Sequence, residues 1–152
     1  KLRSLLFRMS RSREVLSWFQ DSFQWAIEDT RMNYTCGSAL SYSIRKYVEI
    51  PAKGSLLLCT PFAGFQHVGF ESGLNCVALD PKNICEVTNE LIKNPEKMQR
   101  LASAGQDTVM SLHSFSARLD QLDQMFSSIK SGRFNGSEWI DGELIIKEKL
   151  TS

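Results

Sequence analysis

The chain has 152 residues, 42% hydrophobic and 23% charged, a globular composition sized for about one domain and unlike that of a disordered chain. A net charge of +1 argues against a surface built for nucleic acid, and no window approaches the roughly 18 apolar residues that span a bilayer. Two histidines, and cysteines at 36, 59, 76 and 85 with no Cys-x-x-Cys pair, leave little for a metal site; reduced thiols in a cytoplasmic protein are the expectation.

The first 13 residues carry Lys1, Arg3, Arg8, Arg11 and Arg13 and no acid, interleaved with Leu2, Leu5, Leu6, Phe7 and Met9. They read as a basic amphipathic arm for an anionic surface, or as a solvated helix or the end of a cut chain; they lack the pattern of a signal peptide. Ser12 is placed to cap a helix over 13–28, where Val15, Leu16, Phe19, Phe23, Ala26 and Ile27 recur at helical spacing. Residues 33–36 predict a short strand closed by Gly37-Ser38. Residues 41–53 read as a helix, with Pro51 near its end and Gly54 as its stop. The run 55–60 is apolar without alternation, which predicts a strand covered on both faces, as in a parallel sheet. A glycine-bearing loop over 62–73, holding a short helical turn, leads to a third strand at 75–79.

Asp80-Pro81 and Asn94-Pro95 are two cap-plus-proline starts, for helices to about Lys93 and Leu112. Ser114 caps another that ends near Gly132, with Phe115, Leu119, Leu122, Met125, Phe126 and Ile129 on its apolar side. Asp141-Gly142, set between apolar residues, signals a hairpin in a tail over 133–152, which leaves 1–132 as the main domain. The order of elements gives an α/β class with a short, mainly parallel sheet. Three strands leave two edges to cover, by helices, by the tail or by another chain.

Ligands of an open parallel sheet bind beyond the carboxyl ends of its strands, here Gly37-Ser38, Thr60 to Gly64 and Asp80. Gly37-Ser38-Ala39 before a helix suits a phosphate, or is plain loop chemistry. Arg45 and Glu49 share a helix face, as an ordinary surface pair or with Glu49 accepting from two vicinal hydroxyls of a ribose. His67 reads as an exposed loop histidine or a phosphate contact, and His113 as a helix-end cap. Phe62, Phe65 and Phe70 read as packing beneath the loop rather than as a base-stacking surface. Asp80 is a cap, and no Ser-His-Asp order can be assembled.

The stretch from Arg45-Lys46-Tyr47-Val48-Glu49 through Gly54 and Leu56-Leu57-Leu58 resembles the "glutamate, helix, small-x-Gly, apolar strand" signature of GT-B glycosyltransferases of the group 1 type. Gly64-Phe65 is similar to that family's glycine loop, and Glu71 to Asp80 to its "acidic-x-Gly-x-Asn, strand, Asp" continuation. Asn94-Pro95-Glu96 through Gly105, then His113-Ser114 and Arg118, resemble its closing helices. The Arg-Lys-aromatic-x-Glu stretch is nearest the spore-maturation or spore-coat subgroup. The resemblance spans roughly residues 20–130.

The resemblance implies a Rossmann-like three-layer domain, the later part of the C-terminal donor-binding half of a GT-B enzyme, acting on a nucleotide-diphosphate sugar without metal or other cofactor. Glu49 would hold the donor ribose, the amides of Tyr42, Ser43 and Ile44 would meet the diphosphate, and Gly64 and Phe65 would approach sugar or nucleotide; Arg45 or Lys46 would partly replace a missing basic clamp, or serve as ordinary helix-surface charge. Ser41 stands where the family often has a second glutamate, and the acceptor domain has no match here. The chain alone is therefore not expected to be a competent transferase, and a cut from a longer product is the expectation. The alternative is a non-catalytic glycosyltransferase-like assembly module that forms a homodimer.

Overall fold

The computed structural model describes residues 13–37 and 42–149. Residues 1–12 of the basic arm and the side chain of Arg13, together with Ser38, Ala39, Ser41 and the side chains of Val15, Leu16 and Phe19, lie outside what is described. Helix α1 (Arg13–Glu28) buries Ile27 and rests Phe23 against the same core. Strand β1 (Met32–Thr35) follows, then helix α2 (Lys46–Ala52) and strand β2 (Leu56–Cys59). After a single 3-10 turn at Gln66–Val68 comes strand β3 (Val77–Ala78), then helices α3 (Ile84–Lys93), α4 (Pro95–Leu112) and α5 (Phe115–Lys130). The chain ends in a hairpin of β4 (Phe134–Ile140) and β5 (Glu143–Glu148).

The sheet has the order β1-β2-β3 and both pairings are parallel. Its register sets Thr35 beside Cys59, and Cys59 beside Ala78, so all three strands end at one level. Strand β2 lies in the middle and is buried throughout. Leu57 and Cys59 face a core with Ile27, Tyr47, Ile50 and Phe70; Leu56 and Leu58 face another with Leu79, Leu91, Met98 and Leu101. Two-sided burial is why the run carries no polar alternation. The expected α/β class and short parallel sheet are present.

The capping signals act as the sequence suggests. Asn94 Oδ1 accepts from Lys97 N at 3.0 Å, with Pro95 at the first helical position, and Ser114 Oγ accepts from Ala117 N at 3.2 Å. Asp80 Oδ1 accepts from Lys82 N at 2.9 Å, but it opens a 3-10 turn over Pro81–Asn83 before α3 begins. Gly54 takes φ +77°, which stops α2 where expected.

Two features correct the sequence reading. Helix α2 starts at Lys46 and not at residue 41, so the amides of Tyr42, Ser43 and Ile44 precede it instead of forming its first turn. The stretch ahead of Lys46 has little to bury, since Tyr42 and Ser43 are exposed and Ile44 is only half-buried, so packing does not extend the helix upstream. The apolar stripe of α5 also faces outward, with Phe115 80% and Phe126 60% exposed and Leu119, Leu122 and Ile129 exposed too. The side turned inward carries Arg118, Gln121, Met125 and Ser128, which abut α4 and the hairpin.

Helix α4 approaches the lead into β3 so closely that only a glycine fits at 105. A β-carbon there would stand 2.6 Å from the Asn75 carbonyl oxygen and 3.4 Å from Pro51 Cβ. Glycine in a helix ordinarily loses roughly 1 kcal/mol against alanine, so the usual expectation for Gly105→Ala is stabilisation. Here the obstacle is backbone, and overpacking of about 1–3 kcal/mol at the upper end of that range outweighs the propensity gain. Gly105→Ala should therefore lower the melting temperature by roughly 3–6 °C in a calorimetric scan.

Candidate functional site

The level carboxyl ends of the strands open on the loop after β2. Pro61, Phe62, Gly64, Phe65, Gln66, His67, Phe70, Ser72 and Ala78 line a cavity there of about 350 Å³. Beneath it the rings form a connected floor. Tyr47 meets Phe62 edge-on at 4.9 Å between centroids, Phe62 meets Phe65 at 5.5 Å, and Phe65 stacks on Phe70 at 5.4 Å. These three phenylalanines are buried, as the packing reading anticipates. Phe65 thus belongs to the floor, whereas Gly64 (φ +84°) and the exposed His67 belong to the rim.

Tyr47 ties α2 to this loop. Its hydroxyl donates to the Thr60 carbonyl just past β2, and burial pushes its pKa up to about 12, so the donor stays protonated. On either side of Tyr47 in sequence, Arg45 and Glu49 face a second cavity of about 360 Å³ with Asp21, Phe23 and Gln24. Arg45 Nε donates to Glu49 Oε1 at 2.8 Å, and its Nη2 reaches the same oxygen. Both contacts fall on Oε1. Lys46 lies over the Phe23 ring at 4.7 Å.

The residues singled out in the sequence therefore fall into two groups. Gly64 and Phe65 share the loop cavity, and Arg45 and Glu49 share the other. Tyr42 and Ser43 are exposed, and Ile44 is half-buried, its carbonyl accepting from Tyr47 N.

Residues that sequence reasoning passed over hold the loop in place. Asn75 is buried: its Oδ1 accepts from Glu71 N at 2.8 Å, and its Nδ2 donates to the Gly69 carbonyl at 2.7 Å and to Thr108 Oγ1 at 3.0 Å. The sequence offers a strand reading and a place in the acidic-x-Gly-x-Asn pattern for it, and neither hints at three loop partners. His113 does cap α4, donating its amide to the Val109 carbonyl at 2.8 Å. Its ring goes further, with Nε2 2.8 Å from the Val68 carbonyl and Nδ1 against Arg118 Nη2. Because arginine only donates, Nδ1 must accept and Nε2 must carry the hydrogen given to Val68. A single neutral tautomer satisfies both partners.

The family model described as glycosyl transferase-like matches residues 15–124, more than two thirds of the chain. The protein belongs to this family. Comparison with curated proteins gives no match. Among the described residues no helix is long and apolar enough to cross a membrane.

Burial, and then the charge of Arg118, hold the His113 pKa below its ordinary 6.5, against the opposing effect of the Val68 bond. The unfolded chain therefore takes up this proton first as the pH falls. The stabilisation is complete above about pH 6.5 and declines as pH falls through the lower folded value. The melting temperature should drop more steeply between about pH 7 and 5 in the wild type than in His113→Gln, read by circular dichroism.

Proposed function

We propose that this chain is the donor-binding part of a GT-B glycosyltransferase, of the spore-maturation or spore-coat subgroup, that transfers a sugar from a nucleotide-diphosphate sugar to an acceptor bound elsewhere. In such a transfer the bond from the anomeric carbon to the diphosphate oxygen breaks, a bond to an acceptor oxygen forms, and the nucleoside diphosphate leaves with the electron pair. The domain's part is to hold the donor and to stabilise the departing diphosphate.

One observation carries the reading. A chain of the glycosyl transferase-like family opens a glycine-rimmed cavity at the carboxyl ends of its parallel strands, where α/β sheets bind ligands. Its volume of about 350 Å³ lies within the ordinary range for small-molecule sites. Glu49, in the second cavity, supports a ribose contact by its chemistry: a carboxylate can accept from both vicinal hydroxyls at once, and Arg45 orients it by donating to Oε1. Gly64 lets the backbone come close to sugar or phosphate without a side chain in the way.

The test is a thermal-shift and calorimetric titration with UDP, GDP and ADP, each with and without a common sugar, and with the matching 2′-deoxynucleotides. Ligand at 100 times its dissociation constant adds about 2.7 kcal/mol to stability, several degrees for a domain of this size. The wild type should prefer the ribonucleotide, and Glu49→Ala should bind it roughly 10- to 100-fold more weakly and lose that preference, as expected for a charged hydrogen-bonding partner. Binding with an unchanged ribose preference in Glu49→Ala would remove Glu49 from the site. A failure of every nucleotide to bind, with a dimer in light scattering, would favour the assembly module.

A further inference from the structure

Three consecutive carbonyls, at His67 on the cavity rim and at Val68 and Gly69 between it and Phe70, are each held by a different element. The His67 carbonyl accepts from Gly142 N at 3.0 Å, at the tip of the hairpin. The Val68 carbonyl accepts from His113 Nε2, at the end of α4. The Gly69 carbonyl accepts from Asn75 Nδ2 in the lead to β3. A free loop would leave these groups to water, so their complete pairing marks a segment held in one shape.

The hairpin and α5 supply the outer half of this arrangement. Asp141 at φ +48° and Gly142 at φ +86° make the tight turn that aims the Gly142 amide at the loop. A β-carbon at Gly142 would run into Leu112 and the Gly69 backbone, so the tip sits flush against this segment. Arg118 on α5 lies over the Trp139 ring at 4.6 Å, donates to Gln121 Oε1 at 2.7 Å and meets His113 Nδ1. The histidine ring itself stacks on Phe70, 6.0 Å away and 11° from parallel. The guanidinium is thus fixed on three sides before it acts on the imidazole.

We propose that Arg118 and His113 are positioning residues, braced by Trp139, and that they and the hairpin tip form a clip that fixes the His67–Gly69 segment, and through it the His67 and Phe70 lining of the cavity, for ligand binding. That the ligand is a nucleotide donor rests on the functional reading above; the clip itself does not. His113 and Arg118 fall within the family match, whereas Trp139 and Gly142 lie beyond residue 124. The tail hairpin is therefore a brace added outside the matched segment, which works through two residues inside it.

The clip is also sensitive to acid. Protonation would put a second N–H on Nδ1, facing Arg118, the charge presented to it from α5. The loop offers His113 only the Val68 carbonyl and the Phe70 ring, neither of which carries charge. Acidification should therefore loosen the segment.

Hydrogen exchange on the full chain, run beside the nucleotide titration, tests this. Arg118→Ala and Trp139→Leu should lower protection of residues 66–69 roughly tenfold while strand β2 keeps its own, the loss of one anchoring bond in a local opening. Arg118→Lys keeps the charge without the fork and should fall between. His113→Gln can still donate to the Val68 carbonyl, so it should retain most of the protection but lose the wild type's fall in protection between about pH 7 and 5. Nucleotide affinity should weaken roughly tenfold in Arg118→Ala as the segment loosens. Unchanged protection at 66–69, or a loss shared equally by β2, overturns the clip. A looser segment with unchanged affinity overturns the positioning role. If the wild type binds no nucleotide, the donor reading fails, and the exchange data alone decide the clip.

Discussion

Strand β2 is hydrogen-bonded on both edges and buried on both faces, and the placement of every other element is measured from it. Its four side chains divide between two cores, so α1 and α2 must cover one face while α3 and the first half of α4 cover the other. The parallel register then leaves no freedom over where the strands end. With Thr35, Cys59 and Ala78 side by side, the chain must leave all three strands at the same level, and the loops that follow must share one crevice. The cavity is a consequence of pairing and burial before any side chain in it is considered.

A crevice of this kind is only as defined as its loops. The segment after β2 is long enough to be mobile, and its rim is made of small or exposed residues that contribute little packing of their own. Definition comes from below and from outside. The Tyr47, Phe62, Phe65 and Phe70 rings supply the apolar floor, and Tyr47 adds a hydrogen bond to the Thr60 carbonyl at its start. The His67–Gly69 segment, which runs from the rim to Phe70, is set by polar groups from Asn75, His113 and Gly142, each pairing one backbone carbonyl. The floor resists compression, and the held segment resists sliding.

The parts legible in the sequence are those governed by local rules. Caps at Asp80, Asn94 and Ser114, the stop at Gly54, the unalternated run at β2 and the Asp141-Gly142 turn each depend on a few neighbouring residues, and each is where those residues place it. Helix α2 was misread at its start because apolar periodicity continues upstream of Lys46, while the tolerance of Pro51 inside a seven-residue helix is not a local property. The candidate site was legible in outline only. Arg45 and Glu49 follow from helical spacing, and Gly64 from its place after a strand. Asn75 reaches Thr108, and His113 reaches Val68 and Arg118, which in turn meets Trp139, through contacts 5 to 45 residues apart that no spacing rule on one chain can announce.

Helix α5 ties these levels together. Its sequence shows an apolar stripe and a polar side, and burial of large apolar side chains, about 1.5–3 kcal/mol each, would ordinarily turn the stripe inward. The structure turns the polar side inward instead. The contacts on that side are specific: Arg118 with His113, Gln121 and Trp139, and the hairpin flank against the helix. Rotating the helix to bury Phe115 and Phe126 against α4 and the hairpin would withdraw Arg118 from His113 and leave Nδ1 without this donor. The orientation of α5 and the hold on the Val68 carbonyl therefore meet at one histidine, whose neutral ring accepts from Arg118 and donates to Val68.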